Sequence, residues 1–340
     1  MTLLQLLRLA REKDASDVHL AVGAPPVLRV HGKLTPLDEP PVTPETFRAE
    51  MNSLLTEEQW VQFEAQRDFE LTTEIASVGR VRVSLSFQRL GEAAVLHLIR
   101  TAVSVPTELE LPPVVEDLAR REEGLILVTG PSGSGRTTTL AALVELINRE
   151  RAAYIVTIEQ PIEYIYEPKR SFILQREVGT HTQSFAAAVY HARRSDADVL
   201  LVSELPDRET SEQVLIAATA GQLVLTALPT RRAVQTIEHL LGLFPAEQRT
   251  QRQEQLANVL QGIISQHLLP TTDGGYVVAA EIMVATETIR QLIRKGRLSQ
   301  IPSVIQTAHR EGMQSLEQSL KNLVMTGRVA PEVAQEALGG

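Results

Sequence analysis

Residues 130–137 read Gly-Pro-Ser-Gly-Ser-Gly-Arg-Thr, the spacing of a loop that wraps phosphate in backbone N–H groups. In the pattern G-x-x-x-x-G-K-[ST], the lysine reaches the β- and γ-phosphates and the hydroxyl after it ligands Mg²⁺. Gly130, Pro131, Ser132, Gly133, Ser134, Gly135 and Thr137 satisfy it, and Thr138 extends it into the following segment. The lysine position holds Arg136. Its guanidinium is wide, planar and donates in a fixed fork, whereas an ammonium is a compact point charge. The loop is expected to hold ATP or ADP with Mg²⁺ through an altered cation; a structural Gly-rich turn is the competing reading. Lysine occurs only at Lys13, Lys33, Lys169, Lys295 and Lys321, so simple Lys-to-Arg drift also explains Arg136.

Further candidates lie on either side of the loop. Asp198–Glu204 is an apolar run ending in an acid, and Glu204 could hold Mg²⁺ with Thr137 or polarise a water; surface acids also end strands in any α/β fold. Thr157–Tyr164 places Glu159 and Glu163 just past a core strand, on the edge where such sheets bind ligands. Spacing does not separate a general base there from a solvated loop. Arg80 and Arg82 share one strand face, where they could reach a neighbouring subunit's phosphates or simply meet solvent. In Thr288–Lys295, Ile289, Leu292 and Ile293 share a helical face opposite basic residues, a pattern that core packing explains.

The elements that must position these residues fall into two groups. Residues 1–100 read as a small α+β domain: a helix over Leu3–Lys13, a strand at Val27–Val30, helices near Pro44–Leu55 and Glu57–Gln66, and a hairpin of Arg80–Phe87 with Ala94–Ile99 near Gly91. Thr101–Pro113, with three prolines, reads as a linker. From 114 to 340, strands alternate with helices, as in a largely parallel sheet: Gly124–Thr129, a helix over Thr138–Arg149, then strands at Tyr154–Ile158, Val199–Val202 and Leu223–Leu228. Beyond about 245 the chain reads as helical, broken by Thr271–Gly275 and a strand at Tyr276–Ala280.

Composition narrows the function classes. A net charge of −9 argues against nucleic acid as the main partner. The absence of cysteine excludes disulfides and thiolate metal sites. Met1–Ala10 is apolar but runs into Arg11, Lys13 and Asp14 without a cleavage site, and no apolar stretch approaches the roughly 20 residues of a membrane span. A cytoplasmic protein is expected.

Taken together, the segments resemble the type IV pilus retraction ATPases, the PilT/PilU branch of the secretion-ATPase superfamily, over nearly the whole chain. The resemblance is carried by Ala15–Leu20 with Gly23–Pro26, Ile158–Glu163, Gln175–Val178, Ser203–Thr210, Ile264–Gln266 and Thr288–Lys295. It implies an N-terminal PAS-like α+β domain, a C-terminal RecA-like P-loop domain with a helical extension from about 240 to 340, and a homohexamer with sites shared between subunits. It also implies Glu163 as general base, an active retraction ATPase paralogue and the inner-membrane pilus platform protein as partners, and recruitment to the cytoplasmic face of that membrane through them. Departures gather at the site. Arg136 replaces lysine, Gln160 an aspartate, Ser203 a glycine, Pro206 an arginine and His97 an arginine, while Gln222 and Pro229 stand at both positions of the family's His box. Proline has neither a side-chain donor nor an N–H. The expectation is an auxiliary paralogue with weak or absent hydrolysis; an active hexameric retraction motor is the alternative.

Overall fold

The computed structural model describes residues 1–13, 15–30, 33–99 and 103–339. They form two compact units, Met1–Ala102 and Val103–Gly340. In the first, α1 (Leu3–Glu12) opens with a reciprocal cap: Thr2 Oγ1 accepts from Gln5 N and the Gln5 side chain accepts from Thr2 N, satisfying two end donors at once. There follow β1 (Ala15–Ala21), β2 (Val27–Val30), β3 (Lys33–Pro36), α2 (Pro44–Met51), α3 (Glu57–Gln66), β4 (Asp68–Ile75), β5 (Gly79–Gln88) and β6 (Gly91–Leu98). The strands make an antiparallel sheet in the order β3-β2-β1-β6-β5-β4. Val81, Val83 and Leu85 of β5 enter one core with Leu7, Phe47 and Phe63 of the three helices. Because strand side chains alternate, Arg80 and Arg82 lie on the other face, where Arg82 pairs with Glu70 at 3.3 Å. On that face His97 Nδ1 meets Asp17 Oδ1 at 2.9 Å.

The expected linker begins with Thr101 and Ala102, which lie outside the described residues. The second unit runs α4 (Val114–Ala119), β7 (Gly124–Thr129), α5 (Arg136–Glu150), β8 (Tyr154–Glu159), β9 (Phe172–Glu177), α6 (Phe185–Arg193), β10 (Val199–Val202), α7 (Arg208–Thr219), β11 (Leu223–Leu228), α8 (Ala233–Gly242), α9 (Ala246–Val259), β12 (Leu260–Pro270), β13 (Tyr276–Val284), α10 (Glu287–Arg294), α11 (Ile301–Thr307), α12 (Leu316–Met325) and α13 (Pro331–Gly339). The sheet order is β13-β12-β7-β11-β10-β8-β9, parallel except for the β12–β13 pair. Both faces are covered: α4 and α5 pack over one and α6 to α10 over the other. That is why β7, β10 and β11 are buried at every residue and read as unbroken apolar runs.

One expectation fails outright. Leu260–Pro270, read as part of a helical region, is the long strand β12 beside β7. A short run buried on both faces has no period by which to tell a strand from a helix. Gly262 carries the deciding information, since a Cβ there would lie 2.7 Å from the Leu118 side chain. The strand fits because α4 can approach its backbone closely.

Candidate nucleotide site

The chain leaves β7 at Thr129 and enters α5 at Arg136, two residues before the expected helix start. The loop between them is built on glycine. A Cβ on Gly130, at φ +151°, would lie 2.3 Å from the Gln266 carbonyl oxygen and 2.4 Å from Ser134 Oγ. Gly135 caps α5 at φ +86°, a left-handed conformation that costs only glycine little. The free N–H groups of the first helical turn then face the loop, and with the helix dipole they favour an anion. Gln266 of β12, fully buried, braces the cradle from behind. Its Nε2 donates to the Ser134 carbonyl at 2.7 Å and its Oε1 accepts from Thr139 Oγ1 at 3.0 Å.

Arg136 and Thr137 are half-buried in the first turn of α5. Burial holds the Arg136 guanidinium below its ordinary value, and the nearby Glu204 carboxylate acts in the opposite sense. Arginine stays charged under both influences, so the loop keeps a cation whose field reaches Glu204. Glu204 follows β10 and is exposed; Glu163 is half-buried in the loop after β8. Since β7, β11, β10 and β8 run parallel, both acids emerge at the same edge of the sheet as the phosphate loop. Asp198, at the other end of β10, accepts instead from the Tyr154 N–H at 2.7 Å.

The two substituted positions on β11 separate. Gly130 N donates to the Leu228 carbonyl at 3.3 Å, so Pro229, the next residue, adjoins the phosphate loop. Gln222 precedes the strand, at the opposite edge of the sheet. It is buried, and its Nε2 donates to the Ala197 carbonyl at 2.6 Å. Gln222 thus lies away from the phosphate loop of its own chain, whereas Arg136 opens α5 at the end of that loop and Pro229 adjoins it.

Of the two acids the sequence offers after β8, Glu159 proves to be buried and Glu163 to lie beside it in the loop. Glu159, the last residue of β8, is 2 % exposed. Burial drives its carboxyl up to about 7, against hydrogen bonds from Thr157 Oγ1 (2.6 Å), Gln175 Nε2 (3.3 Å) and the Glu163 backbone. Tyr164 Oη lies 3.0 Å from Thr138 Oγ1, which ties the acidic loop to the first turn of α5. The apolar pattern of β8 ending in an acid was the available signal for Glu159. Gln175 falls in the segment Gln175–Val178 that carries the family resemblance, but nothing local places it against Glu159.

The basic face of α10 is occupied. Arg290 Nη1 donates to the Ala257 and Asn258 carbonyls at 2.5 and 2.7 Å, and Arg294 pairs with Glu287 and Asn258. These bonds cap the carboxyl end of α9, while Ile289 and Ile293 enter the core.

Three comparisons bear on this site. Residues 2–274 match the family model "Type II/IV secretion system protein". The chain belongs to that family. It is 38 % identical over 336 residues to the type IV pilus retraction ATPase PilT of Pseudomonas aeruginosa, covering 99 % of this chain and 98 % of the relative. It is 33 % identical over 331 residues to the type IV pilus ATPase PilU of the same organism, covering 97 % and 87 %. A crystal structure of the pilus retraction motor PilT with bound ADP superposes with a TM-score of 0.90 at 40 % identity, over 99 % of this chain and 97 % of that one. The chain is thus PilT-like, within the pilus retraction ATPases, and the two-part α/β architecture is that of the family. Among the described residues no helix is long and apolar enough to cross a membrane.

Proposed function

We propose that this chain is an auxiliary member of the pilus retraction ATPases: it binds ATP or ADP with Mg²⁺ at Gly130–Thr138 and hydrolyses ATP weakly or not at all. Thr137 and Glu204 would hold the ion, which when bound neutralises phosphate charge. Glu163 would accept the proton of an attacking water. Arg80 and Arg82 would serve a neighbouring subunit of a hexameric ring, and an active paralogue and the membrane platform protein would be partners at the cytoplasmic face of the inner membrane. The contrast within one site carries the reading. The cradle and its brace are intact and both acids remain, while the groups that should grip the terminal phosphate, at 136, 160 and 229, are changed. One lost contact of that kind costs on the order of 10²–10³ in rate, and several compound without adding.

ATP binding and turnover measured on one preparation test this. Binding with turnover far below that of an intact relative is expected. Turnover near the relative's, abolished by Glu204→Ala, would overturn it in favour of the second reading, an active retraction motor. That second reading is favoured by one observation, the hydrogen bonds that hold Ile162, Tyr164 and Tyr166 around Glu163.

A further inference from the structure

The two neighbours of Glu163 in the chain are each held by a side chain of β9. Glu177 Oε2 accepts from the Ile162 N–H at 2.9 Å. Gln175 Nε2 donates to the Tyr164 carbonyl at 2.8 Å, and its Oε1 accepts from the Tyr166 N–H at 3.1 Å. The same Nε2 reaches Glu159 Oε1 at 3.3 Å. Ile162, Tyr164 and Tyr166 turn their side chains into the protein, at 4 %, 8 % and 5 % exposure. Glu163, between them, stays half-buried at the edge of the site. The loop after β8 is thus pinned at 162, 164 and 166, and Tyr164 Oη adds the tie to Thr138 in α5. The parallel pairing of β8 and β9 in register, with Thr157 opposite Gln175 and Glu159 opposite Glu177, sets both clamps at the right height. β9 is the edge strand of the sheet, and its side chains supply partners to a loop backbone that lies among buried side chains.

We infer that Gln175 and Glu177 are positioning residues for Glu163, fixing its carboxylate relative to the phosphate loop without touching nucleotide themselves. The inference rests on the reading that Glu163 accepts the proton of the attacking water. A carboxylate acting on water must be placed within hydrogen-bond reach, and small misplacements cost large factors in rate. The clamps' chemistry differs in a usable way. Glu177 accepts from Ile162 N on one oxygen and from Thr180 Oγ1 at 3.1 Å on the other; Gln keeps an acceptor for Ile162 and can donate to the Thr180 hydroxyl instead. Position 175 needs a donor and an acceptor on one group, which Glu does not supply.

The test is steady-state ATP turnover by the full chain, read as kcat and KM separately. Glu177→Ala is expected to lower kcat about tenfold with KM within about twofold, and Glu177→Gln to restore most of the loss. Gln175→Ala and Gln175→Glu are both expected to stay low. In a Glu163→Ala background, Glu177→Ala is expected to have no further effect, because the clamp acts only through Glu163. Clamp variants that keep the wild-type kcat, or that lower it equally with and without Glu163, overturn the inference while leaving the role of Glu163 standing. Wild-type turnover no faster than that of Glu163→Ala overturns the role of Glu163, and the inference with it.

Discussion

Replacing Glu159 by glutamine should change how the second unit responds to pH. Glu159 is buried, and its carboxyl is raised to about 7 against about 4.3 in an unfolded chain. Between those values the native state binds more protons than the unfolded state, so stability falls as pH rises through the window. Above pH 7 the native chain must bury the charge. Each tenfold change in proton affinity is worth about 1.4 kcal/mol, so the loss approaches about 4 kcal/mol on the alkaline side. About 2–3 kcal/mol of it falls between pH 5 and 8. The substituted amide would keep an oxygen for Thr157 and Gln175 but could not ionise, so the Glu159→Gln variant should lack this slope. Any cost of misplacing that amide against the Glu163 N–H is independent of pH and cancels when the two slopes are compared. Urea unfolding without nucleotide or Mg²⁺ is the assay, since bound ligand would mask the effect. The one tryptophan, Trp60, lies in the first unit, and all five tyrosines lie in the second. Tyrosine absorbance therefore reports the affected unit, and Trp60 fluorescence is an internal control that should not move. Parallel pH profiles for wild type and Glu159→Gln in the tyrosine signal would refute the argument.

Gly130→Ala should abolish nucleotide binding, because its Cβ meets Gln266 backbone at 2.3 Å; binding of labelled ADP checks this. Gln266→Ala should destabilise the second unit by about 1–3 kcal/mol through buried groups left unpaired and weaken ADP binding, read by thermal unfolding and titration. Arg136→Lys should not by itself raise ATP turnover to that of an intact relative, since Gln160 and Pro229 remain; near-complete rescue would show that those changes are tolerated. Arg290→Ala should cost about 1.5–3 kcal/mol, the range for hydrogen bonds from a charged group, and should leave nucleotide affinity unchanged.

Much of the fold could be read from the chain because its signals are local. Thr2 and Thr56 announce helices by their caps, and the apolar runs of β7, β10 and β11 are short enough to read as buried strands between helices. β12 is illegible for the opposite reason: two of the elements that fix its form, β7 and α4, lie more than a hundred residues away in sequence. β9 was missed because Phe172 and Leu174 are exposed at a sheet edge, so its pattern shows no buried face. At the site, glycine spacing revealed the loop, whereas Gln266, Gln175 and Glu177 act through contacts that sequence separation hides. Gln222 was grouped with Pro229 by motif, although strand geometry places six intervening residues between them.

That separation has a consequence for how the protein can change. A strand rises about 3.3 Å per residue, so Gln222 and Pro229 sit roughly 20 Å apart at opposite ends of β11, with no shared partner. Substitutions that far apart should act additively. What looks like one motif is then two separate positions, and a histidine introduced at either can act without waiting for the other.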